Sequence, residues 1–173
     1  MEVITYKCPN CGGDLTFDPA SGTFGETVDT VYKATGKSAS FPRISPDNRY
    51  LLYTESDYAT FPIWHKEADL KMISLQDSSA VDTDILNSPD VESYHSWSSN
   101  GRWIIFSSRR LDGLYTRFFI AHFDTNGTFG KPFLLPQKDP EENSLRLKSF
   151  NIPEFIKGKV TITRSRLDHT VTD

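Results

Sequence analysis

The 173-residue sequence has only two cysteines, Cys8 and Cys11, and it lacks a long apolar run and an excess of basic charge. Two cysteines supply half of the four ligands that a closed structural zinc site needs, and a membrane span needs about 20 consecutive apolar residues. Lys and Arg number 19 against 23 Asp and Glu, for a net charge of −4. Since contacts from basic residues to phosphate dominate nucleic-acid binding, we expect no nucleic-acid partner and no membrane span.

Motifs for common catalytic sites and for export are also missing. The nucleophile elbow G-x-S-x-G, the phosphate-binding G-x-x-x-x-G-K-[ST] and the zinc-protease H-E-x-x-H do not occur in the sequence. The acidic pair Glu141-Glu142 lies beside Pro140 in a polar stretch and is interpreted as a solvated loop. The first residues lack the basic segment and apolar run of a signal peptide. We therefore expect a protein without enzymatic activity that, as written, stays in the cytoplasm.

The segment YKCPNCGGDLTFDPASGTF (residues 6–24) has the pattern of half a zinc ribbon. Cys8 and Cys11 flank a Pro-Asn pair and precede Gly12-Gly13, which is typical of a knuckle whose backbone N–H groups face thiolate sulfur. The segment resembles the N-terminal half of bacterial zinc ribbons, but Gly25-Glu26-Thr27-Val28 stands where their second C-x-x-C would follow. None of the four histidines has a partner at metal-binding spacing. We therefore expect no cofactor and interpret the segment as a metal-free hairpin or a disordered tail. The alternatives are a zinc ion bound at Cys8 and Cys11, either within one chain or shared between two chains.

An internal repeat is the most informative pattern. FPRISPDNRYLLYT (residues 41–54) and YHSWSSNGRWIIFS (residues 94–107) align without a gap at an offset of 53 residues, which pairs Ile44 with Trp97. Each copy is a short strand, a Ser-x-Asp/Asn-x-Arg turn and an apolar strand, which predicts a hairpin. The turn places Asn48 or Gly101 where a positive φ is needed. Trp97 is expected to face the core by analogy with Ile44.

Two further strands are predicted after each hairpin. Apolar runs cover residues 68–75 and 116–124, and short final strands are expected around residues 81–86 and 129–135. Four short antiparallel strands that recur about every 50 residues are typical of a β-propeller blade. The predicted fold class is all-β, a partial β-propeller of two four-stranded antiparallel blades plus a remnant at residues 147–155. A β-sandwich with two similar hairpins is the alternative.

The repeats resemble those of TolB-like propellers, whose blades begin with a Trp or aliphatic residue followed by S-P-D-G-x-x-I/L-x-F/Y. The stretches SDYATFPIWHKEADL, ESYHSWSSNGRWIIFSSRRLDGLYTRFFIAHFD and KPFLLPQKDP together resemble the C-terminal propeller region of large TolB-like proteins of Bacteroides-type bacteria. Asn48 replaces the usual glycine of the first turn, and Ser99-Asn100 replaces Pro-Asp in the second. The sequence is accordingly divided into a half zinc-ribbon hairpin (1–24), propeller blades (25–156) and a C-terminal tail (157–173).

The resemblance implies a non-catalytic protein-binding or scaffold module of the bacterial cell envelope, in the periplasm or at the outer membrane. The competing interpretation is an accessory propeller domain of an envelope serine peptidase or other hydrolase whose catalytic domain is absent from this sequence. Two blades alone expose strand edges and apolar faces. We therefore expect a protein partner or self-association through the blade edges.

Candidate binding residues lie on the loops between the second and third strands of each blade, which emerge on one face of a propeller. Aromatic and Arg side chains dominate binding hot spots because they bury a large area and also offer a polar group. Alternatively, Phe61 and Trp64 fold the first loop back onto its own blade, and the arginines pair with aspartates. The candidates are Asp57, Tyr58, Trp64 and His65 on the first loop, and Arg109, Arg110, Asp112 and Tyr115 on the second.

If Cys8 and Cys11 form half a site, the purified monomer should carry well under one zinc ion per chain, because two thiolates do not complete a tetrahedral shell. A Cys8→Ser variant should then keep its thermal stability almost unaltered. Elemental analysis of the purified protein and thermal unfolding of both variants measure these outcomes. One tightly bound zinc ion per monomer that is lost on unfolding would mean that two further ligands exist.

Overall fold

The protein is described here by a computed structural model. The described residues are the strand backbones Ile4–Lys7, Asp14–Asp18 and Thr23–Phe24, and residues 30–58, 61–159 and 161. The chain forms two compact units, Met1–Lys33 and Ala34–Asp173. In the first unit, three short strands pair antiparallel in chain order: β1 (Ile4–Lys7), β2 (Asp14–Asp18) and β3 (Thr23–Phe24). Cys8 and Cys11 lie outside the described residues, so the zinc knuckle stays a prediction.

The second unit contains two four-stranded antiparallel sheets, each a meander in chain order. Sheet 1 consists of β4 (Ser38–Ile44), β5 (Tyr50–Ser56), β6 (Asp69–Ser74) and β7 (Ala80–Val81). Sheet 2 consists of β8 (Glu92–Trp97), β9 (Trp103–Ser108), β10 (Arg117–His122) and β11 (Phe133–Leu134). The described part also has a short helix α1 (Glu142–Leu145) and 3-10 turns at Pro62–Trp64 and Asp84–Leu86. The predicted all-β fold with two four-stranded antiparallel sheets is confirmed.

The first turn of each sheet is built from the same hydrogen bonds. Ser45 Oγ donates to Asp47 Oδ1 at 2.6 Å and accepts from the backbone N–H of Tyr50 at 3.0 Å. At the equivalent residues of sheet 2, the same two bonds measure 2.7 and 3.0 Å. Asn48 has a φ of 58° and Gly101 a φ of 65°, as the turn pattern predicted. Asn is among the few residues with a side chain that tolerate this region, which explains the missing glycine in the first turn.

The first strand of each sheet also carries a bulge at the same place in the repeat. The register of β4 against β5, and of β8 against β9, shifts in the middle of the first strand. The equivalent residues Phe41 and Tyr94 lie in these bulges with φ values of 53° and 50°. Their rings meet edge to face with centroids 5.0 Å apart. Because a bulge redirects side chains, these positions bring two aromatic rings together at the junction of the sheets.

The main hydrophobic core lies between the two sheets. Its buried side chains are Leu52, Leu70, Met72 and Leu86 from sheet 1 and its outgoing connection, Ile104, Phe106, Phe119 and Ala121 from sheet 2, and Phe123 and Phe129 from the connection after β10. Tyr50 of sheet 1 packs on this cluster, with its ring edge to face against Phe123 at 5.2 Å. Gly127 comes so close to Tyr50 that an added Cβ would lie 2.9 Å from the hydroxyl oxygen. Branched and aromatic side chains of both sheets therefore form one continuous core.

Equivalent strands of the two sheets use opposite faces at this interface. In β5, Leu52 belongs to the shared core, whereas its repeat equivalent in β9, Ile105, is buried outside that cluster. In β9, Ile104 belongs to the shared core, whereas its equivalent in β5, Leu51, does not. We call the face that carries Leu52 or Ile105 the front and the opposite face the back, since strand side chains alternate. The front of sheet 1 meets the back of sheet 2, so the sheets stack head to tail.

Trp97 and Trp103 lie on β8 and β9 of one sheet, as predicted. Trp97 packs against the core, with its ring 5.3 Å from that of Phe123, and its indole N–H donates to the Arg43 carbonyl at 3.3 Å. Ile44, its equivalent, is 44% exposed, so placing Trp97 by analogy with a core Ile44 was wrong. Ile44 and Trp97 both lie on the back faces of their sheets. Among the described residues of this unit, the back of sheet 2 packs against another sheet and the back of sheet 1 does not.

Replacing Trp97 with Ala should lower the free energy of unfolding by about 3 kcal/mol, the low end for large aromatic deletions, because the side chain is only half-buried. Ile44→Ala is the matched control at the same repeat position and should cost less than about 1 kcal/mol. Urea unfolding curves of the two variants measure both changes. Equal losses in the two variants would contradict the head-to-tail arrangement.

Candidate functional site

A cleft of about 420 Å³ opens between the two loops that join the second and third strands. Its apolar and aromatic lining consists of Phe61, Ile63, Trp64, Tyr94, Leu114 and Phe150. Its polar lining consists of Arg109, Thr116, Ser149 and Asn151. The volume falls in the range of ligand sites, and an apolar lining with a few polar groups is typical of them.

The first loop presents its aromatic side chains on a rigid turn. Pro62 has the fixed φ that suits the first position of the 3-10 turn. The N–H of Trp64 donates to the Phe61 carbonyl at 3.1 Å, and the N–H of His65 donates to the Pro62 carbonyl at 2.8 Å. Phe61 is nevertheless 63% exposed and Trp64 is 76% exposed. The loop therefore does not fold these two rings back onto its own sheet.

The other candidates of the first loop interact with one another or with nearby charges. The rings of Tyr58 and His65 meet edge to face at 4.5 Å, and His65 Nδ1 lies 3.3 Å from Glu67 Oε1. Asp57 Oδ1 lies 3.7 Å from Lys37 Nζ. These contacts support the base of the loop. Of the four candidates on this loop, Trp64 is the one that lines the cleft.

The second loop contributes one charged side chain to the lining. Arg109 donates from Nε to Asp90 Oδ1 at 3.1 Å, and its Nη2 lies 3.1 Å from the same oxygen. Asp112 Oδ1 accepts from the backbone N–H groups of Leu114 and Tyr115 at 2.8 Å each, which shapes the turn that carries Leu114 to the cleft. Arg109 thus lines the cleft with its charge already paired, and Asp112 positions the loop.

Arg110 lies in the turn after β9 and outside the cleft lining, with its side chain largely buried against rings of the shared core. Its guanidinium donates to Glu92 Oε1 at 2.8 Å, to Ser108 Oγ at 3.1 Å and to the Leu86 carbonyl, and it lies 4.6 Å from the Phe119 ring centroid. Burial raises the pKa of Glu92, and hydrogen bonds from hydroxyl groups and the charge of Arg110 oppose that rise. Arg110 therefore compensates a buried carboxylate rather than facing a ligand.

The segment after α1, which closes one side of the cleft, is held by Arg117. This almost fully buried side chain donates to the carbonyls of Asn143, Arg146 and Lys148 at 2.9, 2.6 and 3.1 Å. Its guanidinium also lies 5.4 Å from the ring centroid of Tyr115, the last candidate of the second loop. A single charged group thereby replaces the strand pairing that this segment lacks. The arrangement brings residues 149–151 to the cleft.

The same segment contacts sheet 2 as β8 contacts sheet 1. The backbone N–H of Glu92 donates to the Ala68 carbonyl at 2.9 Å. At the equivalent position, the backbone N–H of Phe150 donates to the Thr116 carbonyl at 3.1 Å. The next residue of each segment contacts a hydroxyl group of the second strand. Ser93 Oγ lies 3.4 Å from Thr54 Oγ1, and the Asn151 carbonyl accepts from Ser107 Oγ at 3.0 Å. Residues 147–155 form no regular strand, and Phe150 and Asn151 contact sheet 2 at the positions where Glu92 and Ser93 contact sheet 1.

Several lining residues were not identified from the sequence: Ile63, Tyr94, Leu114, Thr116, Ser149, Phe150 and Asn151. Tyr94 reaches the site because the bulge in β8 redirects it, and the alignment with Phe41 is the sequence signal that marks this position. Phe150 and Asn151 reach it through the hydrogen bonds of Arg117, for which the local pattern provides no signal. The site therefore combines four chain segments that are separate in sequence.

Comparisons of the chain with protein-family models, with curated proteins and with solved structures find no match. Among the described residues, no helix has the length and apolar character needed to cross a membrane. Within the same residues, no group of three or more His, Cys, Asp or Glu side chains is arranged to hold a metal ion. The cleft is therefore interpreted from its own lining.

Arg110→Ala should lower the free energy of unfolding by about 3 to 5 kcal/mol, because it leaves the buried Glu92 carboxylate without its compensating charge. Arg49→Ala is the control, since Arg49 forms an exposed ion pair with Asp47, and it should change stability far less than Arg110→Ala. Adding Glu92→Gln to the Arg110→Ala variant should recover part of the loss. Chemical denaturation measures all three variants, and similar losses for Arg110→Ala and Arg49→Ala would rule out this role of the buried pair.

Proposed function

We propose that the chain is part of a TolB-like β-propeller and acts as a non-catalytic protein-binding module of the bacterial cell envelope. The head-to-tail stacking of two equivalent sheets is the observation that carries the propeller interpretation. An interface between unlike faces leaves an equivalent face available at each end, so it generates rings or open arrays. In a sandwich whose halves are related by a two-fold axis, like faces would meet instead. Leu52 belongs to the core between the sheets, whereas its repeat equivalent Ile105 does not, so unlike faces meet and the propeller is favoured.

The segment after α1 supports the same interpretation. Phe150 takes the place relative to sheet 2 that Glu92 takes relative to sheet 1, which is the start of a first strand. Glu154, four residues later, forms a 3.0 Å ion pair with Arg43 of β4. First strands surround the central axis of a propeller, so a contact between the first strand of one repeat and the segment two repeats later fits that arrangement. The pair is exposed and contributes little to stability.

The cleft supports the binding role. Phe61 and Trp64 leave most of their surface in contact with water, and large exposed aromatic side chains are typical of interaction sites. They are carried by a loop on a rigid sheet scaffold, which is the usual placement of binding residues. The envelope location and the TolB-like relationship come from the sequence resemblance. A cleft without an unpaired charge in its lining is better suited to recognition than to acid–base chemistry.

Photo-cross-linking with envelope extracts tests the binding role. The protein should capture a defined partner, and the double variant Phe61→Ala/Trp64→Ala should lose it. Leu145→Ala/Leu147→Ala is the matched control, because these two leucines are 74% and 76% exposed and lie outside the cleft. Mass spectrometry of the captured proteins compares the three samples, and light scattering over a dilution series identifies capture of a second copy. Identical capture by all three, or capture by none, would refute a binding role for the cleft.

A further inference from the structure

The lining of the cleft points to one class of ligand. We propose that it binds an uncharged, proline-rich segment of a protein partner in the polyproline II conformation. This inference rests on the proposed binding function of the same cleft and adds the chemistry of the ligand. Three properties of the lining carry it: bare aromatic rings, hydrogen-bond donors without partners, and a charge that is already neutralised.

The aromatic rings offer flat apolar surfaces on a preformed support. Trp64, Phe61 and Leu114 are 76%, 63% and 71% exposed, and the turn at Pro62 holds the first two in place. Tyr94 and Phe150 contribute partly buried rings to the same lining. Aromatic-lined grooves are the common docking sites of proline-rich segments, whose preformed extended helix loses little entropy on binding. The lining therefore matches the shape and the apolar character of such a segment.

The polar groups of the cleft match the backbone of such a segment. Proline has a carbonyl but no N–H, so a proline-rich peptide presents acceptors and few donors. The indole N–H of Trp64, the hydroxyl of Tyr94 and the side-chain amide of Asn151 can donate, and none has a hydrogen-bond partner among the described residues. The Ser149 hydroxyl already accepts from the Thr116 N–H at 3.3 Å. A helical ligand would satisfy its own carbonyls and leave these donors unused.

The charge of the lining disfavours an ionic ligand. Arg109 is the charged residue of the lining, and both its Nε and Nη2 lie 3.1 Å from Asp90 Oδ1. A carboxylate or phosphate on the ligand would have to compete with this carboxylate for the guanidinium. Breaking a partly buried, hydrogen-bonded pair costs free energy that a surface contact does not return. The segment that fits is therefore neutral where it enters the cleft.

Calorimetric titration of the full chain with blocked peptides tests the ligand class. The probe is an eight-residue peptide in which prolines flank two leucines, and the comparison peptides replace every proline by alanine or both leucines by glutamate. The proline peptide should bind at least about tenfold more tightly than either comparison peptide, with little dependence on salt. Trp64→Ala should weaken the binding of the proline peptide about tenfold. Leu147→Ala, which changes an exposed leucine outside the cleft, should leave that binding unchanged.

The outcomes separate this inference from the proposed function. Equal binding of the proline and alanine peptides, tighter binding of the glutamate peptide, or binding that is unchanged in Trp64→Ala would overturn the proline-rich class. Absence of binding by every peptide, together with partner capture that depends on Phe61 and Trp64, would overturn the ligand class and leave the binding function intact. Absence of both would overturn the two proposals together.

Discussion

The contact between the front of sheet 1 and the back of sheet 2 determines where the other described features of the second unit lie. It buries Leu52 against the aromatic side chains of sheet 2. Because the two faces differ, the sheets follow one another in the same orientation, and their equivalent loops emerge at the same end. Trp64 of the first loop and Leu114 of the second consequently line one cleft. Packing of apolar faces thus creates the candidate site.

Buried polar groups add precision to this packing. His95 is fully buried, and its Nε2 lies 3.1 Å from the Leu52 carbonyl of the neighbouring sheet. Burial lowers the pKa of His95 to about 4, so the ring is neutral at pH 7 and bridges the sheets without the cost of a buried charge. Glu92 with Arg110 joins the incoming connection to sheet 2, and Arg117 holds the segment after α1. His95 thus links β8 to β5 of the other sheet, whereas Arg110 and Arg117 each fix a connection that lacks strand pairing of its own.

The candidate site was only partly accessible to sequence reasoning. The loops were located correctly, because strands and turns have local signals, and Trp64 and Arg109 line the cleft. Arg110 has the same residue type as Arg109 and follows it directly, but in the turn after β9 its side chain contacts the buried Glu92 instead of lining the cleft. Phe150 joins the cleft through contacts between residues that are far apart in sequence, which no periodicity or motif encodes.

The sequence by itself determined the strands, the two repeated turns and the positive φ of Asn48 and Gly101, because these depend on alternation and turn chemistry within a few residues. It also determined that both copies have an apolar residue at the position of Ile44 and Trp97. Which of the two is covered was decided only by the tertiary structure, since the same face of a repeat is buried or exposed according to its neighbour. Whether a strand residue is buried depends on the sheet that packs against it, and the sequence of the residue's own repeat does not determine that contact.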